Sequence, residues 1–225
     1  MNNVEARLKT SITPILPVKF EVLEVIPLDV PACSKDVSFI EVLENRKSTR
    51  EFESLDLSSI GHLLYLSNRV KEASVNEFGH RIEKTNVATP GSLNATHCVL
   101  RSPNNGHWYH YNARKHTLEL IGVLEEELNS FATNCFSLIP NSENSWLIWY
   151  VNDIELLESK YDEPLTLAYR DAGGIGTTHG LVSQYLGLNF CQIGLHGNHE
   201  AQYILNERKL IGVGVALIDP VTHFV

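Results

Sequence analysis

The spacing of apolar and polar residues changes character several times along this chain. Residues 1–36 hold Pro14, Pro17, Pro27 and Pro31, separated by short β-prone runs such as Val22 to Ile26. Proline fixes φ and removes a donor, so this stretch reads as an extended arm rather than a helix. The arm wraps either its own domain or a second subunit, and one α+β domain is expected over residues 37–225. Ser38-Phe-Ile-Glu41 is a capping-box pattern and predicts a short helix through about Arg46. Ile60, Leu63, Leu64 and Leu66 recur at helical spacing and predict a second helix from Ser58 to about Ala73.

The middle of the chain changes to strand patterning. His97 to Arg101, Trp108 to Tyr111 and Thr117 to Ile121 are short β-prone runs, parted by Pro103-Asn-Asn-Gly106 and by Asn112 to Lys115. Those spacers carry turn chemistry, so hairpins or a meander are expected. A helix follows at Glu125 to Thr133, then a strand at Ser145 to Val151 apolar enough to be buried on both faces. Pro164 to Leu186 reads as one long helix despite Gly173, Gly174, Gly176 and Gly180. Each mid-helix glycine costs about 1 kcal/mol against alanine, so close approach of another helix or a ligand is expected there. A short strand at Phe190 to Ile193, a helix at His199 to Asn206 and a closing strand at Leu210 to Ile218 complete the prediction of an antiparallel or mixed sheet packed by helices. Asp219-Pro-Val-Thr-His223 reads as a plain tail.

Composition narrows the function. With 18 basic and 27 acidic side chains in 225 residues, the formal net charge is −9. Such a chain lacks the cationic footprint needed to coat nucleic acid or an anionic membrane surface. Cys33, Cys98, Cys135 and Cys191 are dispersed, with no C-x-x-C pair, which fits neither a zinc ribbon nor a disulfide framework. No apolar run is long enough to span a bilayer and no secretory pattern opens the sequence, so a reduced, cytoplasmic protein is expected.

Arg46-Lys-Ser48-Thr-Arg50 is the densest polar cluster. In an extended backbone Arg46, Ser48 and Arg50 project to one side, where two guanidiniums and a hydroxyl suit a phosphate monoester. The same residues also suit a solvated helix C-terminus, where cations are favoured by the helix dipole. Lys160-Tyr161 is an acid–base pair if burial acts on the lysine, and a surface junction otherwise. Ala172-Gly-Gly-Ile-Gly176-Thr-Thr-His-Gly180 fails both nucleotide-loop templates and reads as tight helix packing. His196 and His199 have no third ligand of matching type nearby, so no metal site is expected. Loop or surface placement is expected for nearly all of the ten histidines.

The ordered set of motifs resembles the nitroreductase superfamily. Arg46-x-Ser48-x-Arg50-x-Phe52 is followed by Thr89-Pro90-Gly91-Ser92, then by Trp108-Tyr-His-Tyr111 with His116-Thr-Leu118. Lys160-Tyr161, Ala168-Tyr-Arg170-Asp-Ala-Gly173 and Leu186 to Gly194 point to its SagB-type branch, the thiazoline/oxazoline oxidases. The resemblance implies an FMN-binding α+β sandwich and an intertwined homodimer with the flavin at its interface. It also implies desaturation of a heterocycle or of a C–N or C–C bond in a peptide or natural-product precursor. By the same resemblance Arg46, Ser48 and Arg50 hold the phosphate and ribityl chain. Pro90, Gly91, Ser92, Leu93 and Asn94 lie against the flavin ring, and Gln192, Ile193, Gly194 and Leu195 bring a backbone N–H near it. Lys160 and Tyr161 take the substrate's Cα proton while hydride leaves for the flavin. The family's usual proline-serine-x-glycine order is replaced here by Pro90-Gly91-Ser92. A cyclodehydratase or another biosynthetic partner is implied as well. Two other readings are a stand-alone NAD(P)H-dependent nitro or quinone reductase and a flavin-poor structural subunit of a modification complex.

Overall fold

The computed structural model describes residues 5–32, 36–50 and 56–220. Its frame is a seven-stranded, wholly antiparallel sheet in the order β10-β11-β8-β5-β6-β7-β2. The strands are β2 (Val22–Pro27), β5 (Thr96–Arg101), β6 (Trp108–Asn112), β7 (Thr117–Ile121), β8 (Trp146–Asp153), β10 (Leu188–Ile193) and β11 (Leu210–Pro220). The predicted meander is therefore present as β5-β6-β7. The proline-spaced run at Val22 supplies an edge strand to the same sheet by pairing with β7.

Helices cover both faces. The sheet's period-2 alternation is clearest in β8, whose eight residues are all buried. Trp146, Ile148 and Tyr150 enter one core with Ile60, Leu63 and Leu64 of α2 (Leu57–Asn68) and Ala172 and Ile175 of α5 (Leu165–Leu186). Leu147, Trp149 and Val151 enter the other with Leu128, Phe131 and Cys135 of α3 (Glu125–Phe136). Ser38 caps α1 (Phe39–Asn45) as the sequence predicts, its Oγ accepting from Glu41 N–H at 3.1 Å. Asp153 caps α4 (Ile154–Glu158).

Four expectations are corrected. The second helix stops at Asn68 rather than Ala73, because Arg69 turns extended and donates to the Tyr65 carbonyl at 3.1 Å. Residues 70 and 71 then spend their N–H groups on Ala113 and Lys84, leading into a hairpin of β3 (Glu72–Val75) and β4 (Arg81–Lys84). The segment from His199 to Asn206 forms only a 3-10 turn at Glu200–Tyr203. Asp219 is not in a tail: it pairs with Asn189 in the β10–β11 ladder and is fully buried, while residues 221–225 lie outside the described residues. Several histidines are interior, among them His80, His116 and His179, because each finds a hydrogen-bond partner there. Cys98, Cys135 and Cys191 are unpaired and buried, and Cys33 lies outside the described residues. No helix of the described residues is long and apolar enough to cross a membrane.

Candidate functional site

Two groups of predicted site residues come together, on two sides of the long helix α5. The first joins Arg46–Arg50 to β10. Thr49 clamps this stretch to the strand: its N–H donates to Phe190 O at 3.3 Å, and Phe190 N–H donates to Thr49 Oγ1 at 3.0 Å. Arg46, Ser48 and Arg50 are left exposed, and no ion pair engages either arginine among the described residues. Burial pushes the Cys191 thiol up, and the Arg50 guanidinium beside it partly offsets that push. Phe52, which completes the predicted motif, lies outside the described residues.

Small residues on α5 permit this closeness. A Cβ on Gly180 would sit 3.5 Å from Phe190 and 3.9 Å from Arg46 Cδ, and one on Gly176 would sit 2.5 Å from Gln192 Oε1. Two of the four glycines thus accommodate β10 of the same chain, while Gly173 faces open space. Gln192 and Ile193 end β10. Gly194 is exposed with nothing near its missing Cβ, and Leu195 packs partly into the α3-side core.

The second group joins the loop at 90–94 to Lys160 and Tyr161. Pro90–Ser92 is a 3-10 turn in which Gly91 has φ 58°, and Ser92 (φ 57°) and Asn94 (φ 52°) also enter the left-handed region. Leu93 plugs into the core, and Asn94 Nδ2 donates to Glu83 Oε2 at 3.3 Å. A Cβ on Gly91 would lie 2.6 Å from Lys160 Nζ and 2.6 Å from Tyr161 Oη. The loop backbone therefore rests directly on the polar ends of both predicted catalytic side chains.

Lys160 is not a surface lysine; it is 9% exposed. Its Nζ lies 5.9 Å from the Phe78 ring centroid, and its carbonyl accepts from Lys9 N–H at 3.0 Å, beside the short pairing of β1 (Arg7–Leu8) with β9 (Tyr161–Asp162). Burial raises the Tyr161 phenol above its ordinary value. Beside them His80, absent from the sequence expectations, contacts Ser159 Oγ at 2.7 Å. Burial, and then the Lys160 charge, hold His80 below the usual imidazole range. The Asn76–Gly79 turn signal could have revealed the hairpin that delivers Phe78 and His80, since Asn76 Oδ1 accepts from the N–H groups of Phe78 and His80.

Comparison with solved structures identifies the architecture. A nitroreductase-described protein from Ralstonia eutropha JMP134 superposes with a TM-score of 0.63 at 18% identity, over 95% of this chain and 99% of that one. The chain has the nitroreductase fold. A second such protein, from Anabaena variabilis ATCC 29413, gives a TM-score of 0.61 at 14% identity, over 94% of this chain and 42% of the other. A chain of the E. coli microcin synthetase McbBCD complex with truncated pro-MccB17 bound gives 0.55 at 13% identity, over 99% and 80%. No protein-family model matches the sequence, and no curated protein matches it. Within the nitroreductase fold, the exposed Arg46, Ser48 and Arg50 fit a phosphate, and the close-approach loop at Gly91 fits a flat ring system.

Proposed function

We propose that this chain is an FMN-dependent oxidoreductase of the SagB type, acting as a dehydrogenase on a heterocycle or on a C–N or C–C bond of a peptide or natural-product precursor. The observation that carries the reading is the convergence at Gly91: the loop expected under the flavin lies against Lys160 Nζ and Tyr161 Oη. A flavin bed and an acid–base pair at one spot are what removal of a proton and a hydride from adjacent atoms requires. The structural likeness to a microcin synthetase complex points the same way.

On this reading Arg46 and Arg50 hold the phosphate by charge-assisted bonds, Ser48 bonds the ribityl chain, and Gln192 to Leu195 border the ring. Bound FMN accepts the hydride and returns its electrons to dioxygen, giving peroxide. Lys160 takes the substrate's Cα proton at Nζ, and Tyr161 orients the reacting group through its hydroxyl. The chain works as a homodimer: Phe39, Ile40 and Leu43 on α1 and Leu165 and Tyr169 on α5 are large, exposed apolar side chains that a second copy would cover. A cyclodehydratase is the expected biosynthetic partner.

The test is the visible spectrum of the purified protein, with mass spectrometry of any released chromophore. A yellow protein releasing about one FMN per chain supports the reading. A colourless protein that takes up no added FMN removes it. Rapid NAD(P)H-driven reduction of a nitroaromatic would instead favour the nitro or quinone reductase reading.

A further inference from the structure

A hydrogen-bond chain crosses three neighbouring strands away from the Lys160 site. Glu119 on β7 stands opposite His110 on β6, and its Oε2 lies 3.3 Å from His110 Nδ1. Asn112 Nδ2 donates to Glu119 Oε1 at 2.7 Å. His110 Nε2 lies 3.2 Å from Nδ1 of His97 on β5. Phe20 packs against both imidazoles, its ring centroid 5.4 Å from that of His97 and 4.4 Å from that of His110.

The polarity of this chain is set from the Glu119 end. Its hydrogen bond with His110 holds the Glu119 carboxyl below the usual range despite burial, so it is ionised and can only accept. His110 Nδ1 therefore carries a proton. Burial pushes both imidazoles below their ordinary value, so each is neutral at neutral pH and has a single N–H. His110 Nε2 is then bare, His97 Nδ1 must donate to it, and His97 Nε2 is left as a bare acceptor. That atom is buried and has no partner among the described residues.

His97 lines a cleft of about 270 Å³. The β5–β6 ladder ends at the Val99–His110 pair, and the cleft lies where the strands part beyond it, with Thr96 and His97 on one side and Tyr111 and Asn112 on the other. Phe20 and Leu93 supply apolar walls. The volume falls just under the range for drug-sized ligands, which selects a small molecule. The carboxylates of the cleft are already engaged, Glu119 as above and Glu83 by Arg81, Arg114 and Asn94, which selects an uncharged one. Among the described residues no group of three metal-ligating side chains exists.

We propose that this cleft binds a small, uncharged, hydroxyl-bearing molecule, whose O–H donates to His97 Nε2 while its apolar part lies against Phe20. Glu119 is the positioning residue, because it dictates which nitrogen of His97 is bare. The proposal is independent of the flavin reading.

Side-chain 1H–15N correlation spectra of the full chain, titrated with phenol and with anisole, test it. His97 Nε2 should give an unprotonated-nitrogen signal that phenol shifts saturably. Anisole, the same ring without a donor, should leave it unmoved. In Glu119→Gln, Asn112 retains the carbonyl oxygen and the new amide N–H faces His110, so the chain reverses, His97 Nε2 gains a proton and phenol binding falls at least tenfold. His97→Gln keeps an acceptor and should retain weakened binding that His97→Leu abolishes. A proton on Nε2 in the wild type, or equal or absent responses to phenol and anisole, overturns the proposal. So does unchanged phenol binding in Glu119→Gln. Were that variant unfolded, the wild-type tautomer and the phenol–anisole comparison decide alone.

Discussion

Gly176 and Gln192 hold each other at a separation that only glycine allows: a Cβ on Gly176 would come within 2.5 Å of Gln192 Oε1. The clashing atoms are the far end of a flexible, exposed side chain, so Gly176→Ala should fold with stability changed by less than about 1 kcal/mol, while swinging Gln192 away from the candidate cofactor edge and weakening FMN binding. Gly173→Ala meets open space and should gain up to about 1 kcal/mol with FMN binding untouched. Denaturant midpoints and FMN titrations of the pair separate the two effects.

Arg50→Ala should lower FMN affinity by about 1.5–3 kcal/mol, the range for a hydrogen bond to a charged group, as read by titration calorimetry. Lys160→Ala should keep FMN, since Lys160 groups with the 90–94 loop and not with the arginines. An unaltered Kd in Arg50→Ala would take the phosphate away from that residue.

At Gly91 two costs combine, the positive φ and the contact with Lys160 and Tyr161. Gly91→Ala should destabilise by about 1–2 kcal/mol from the left-handed backbone alone, plus the displacement of two partly buried side chains. In a Lys160→Ala background the second part shrinks and the first remains. A double-mutant cycle in urea should therefore show a favourable coupling between the two changes.

Asp171 sits in the core between α5 and β5, where Thr96 Oγ1 donates to its Oδ2 at 2.5 Å and Asn152 Nδ2 donates to that hydroxyl at 2.8 Å. Burial lifts its pKa from 3.8 to about 7, against the lowering effect of Thr96. A carboxyl with a raised folded pKa stabilises the fold below its unfolded value and loses that advantage as pH climbs toward about 7. Asp171→Asn imitates the protonated acid. Its stability relative to wild type should rise between pH 4 and 7 by on the order of 4 kcal/mol at most. Parallel urea titrations across that window check the difference, which cancels the contribution of the buried histidines. A flat difference would mean Asp171 is ionised throughout.

Arg208 grips Asp153 with two bonds, Nε to Oδ1 at 2.7 Å and Nη2 to Oδ2 at 2.8 Å, and Asp153 Oδ2 also accepts from Val18 N–H. Arg208→Ala strands a fully buried carboxylate and should cost about 3–5 kcal/mol. It should also open the backbone near residues 16–18 to limited proteolysis.

Elements with strong local signals were legible in the sequence: the Ser38 cap, the β5-β6-β7 turns and the apolar run of β8. What escaped depends on partners distant in the chain. Lys160 reads as a junction lysine until Phe78 and Gly91 enclose it. Asp219 reads as a tail until Asn189 pairs with it. His97, His110 and Glu119 are ordinary strand residues until three strands align them. The hairpin at 72–84 was missed because Glu72-Ala-Ser-Val75 is a weak strand pattern after a helix of good propensity, and only its pairing fixes it. The Arg46–Ser48–Arg50 spacing was readable as one exposed side, and the Thr49 clamp that presents it was not.

The order of the sheet also constrains how the molecule is made. β8 is flanked by β5 on one side and by β11, residues 210–220, on the other. During synthesis the most apolar strand therefore leaves the ribosome with one ladder edge open, and keeps it open until β11 arrives. Such non-local pairing slows folding and exposes a sticky edge meanwhile. Expression yield should depend more on chaperone capacity, and on substitutions in β8 and β11, than on the equilibrium stability of the finished fold.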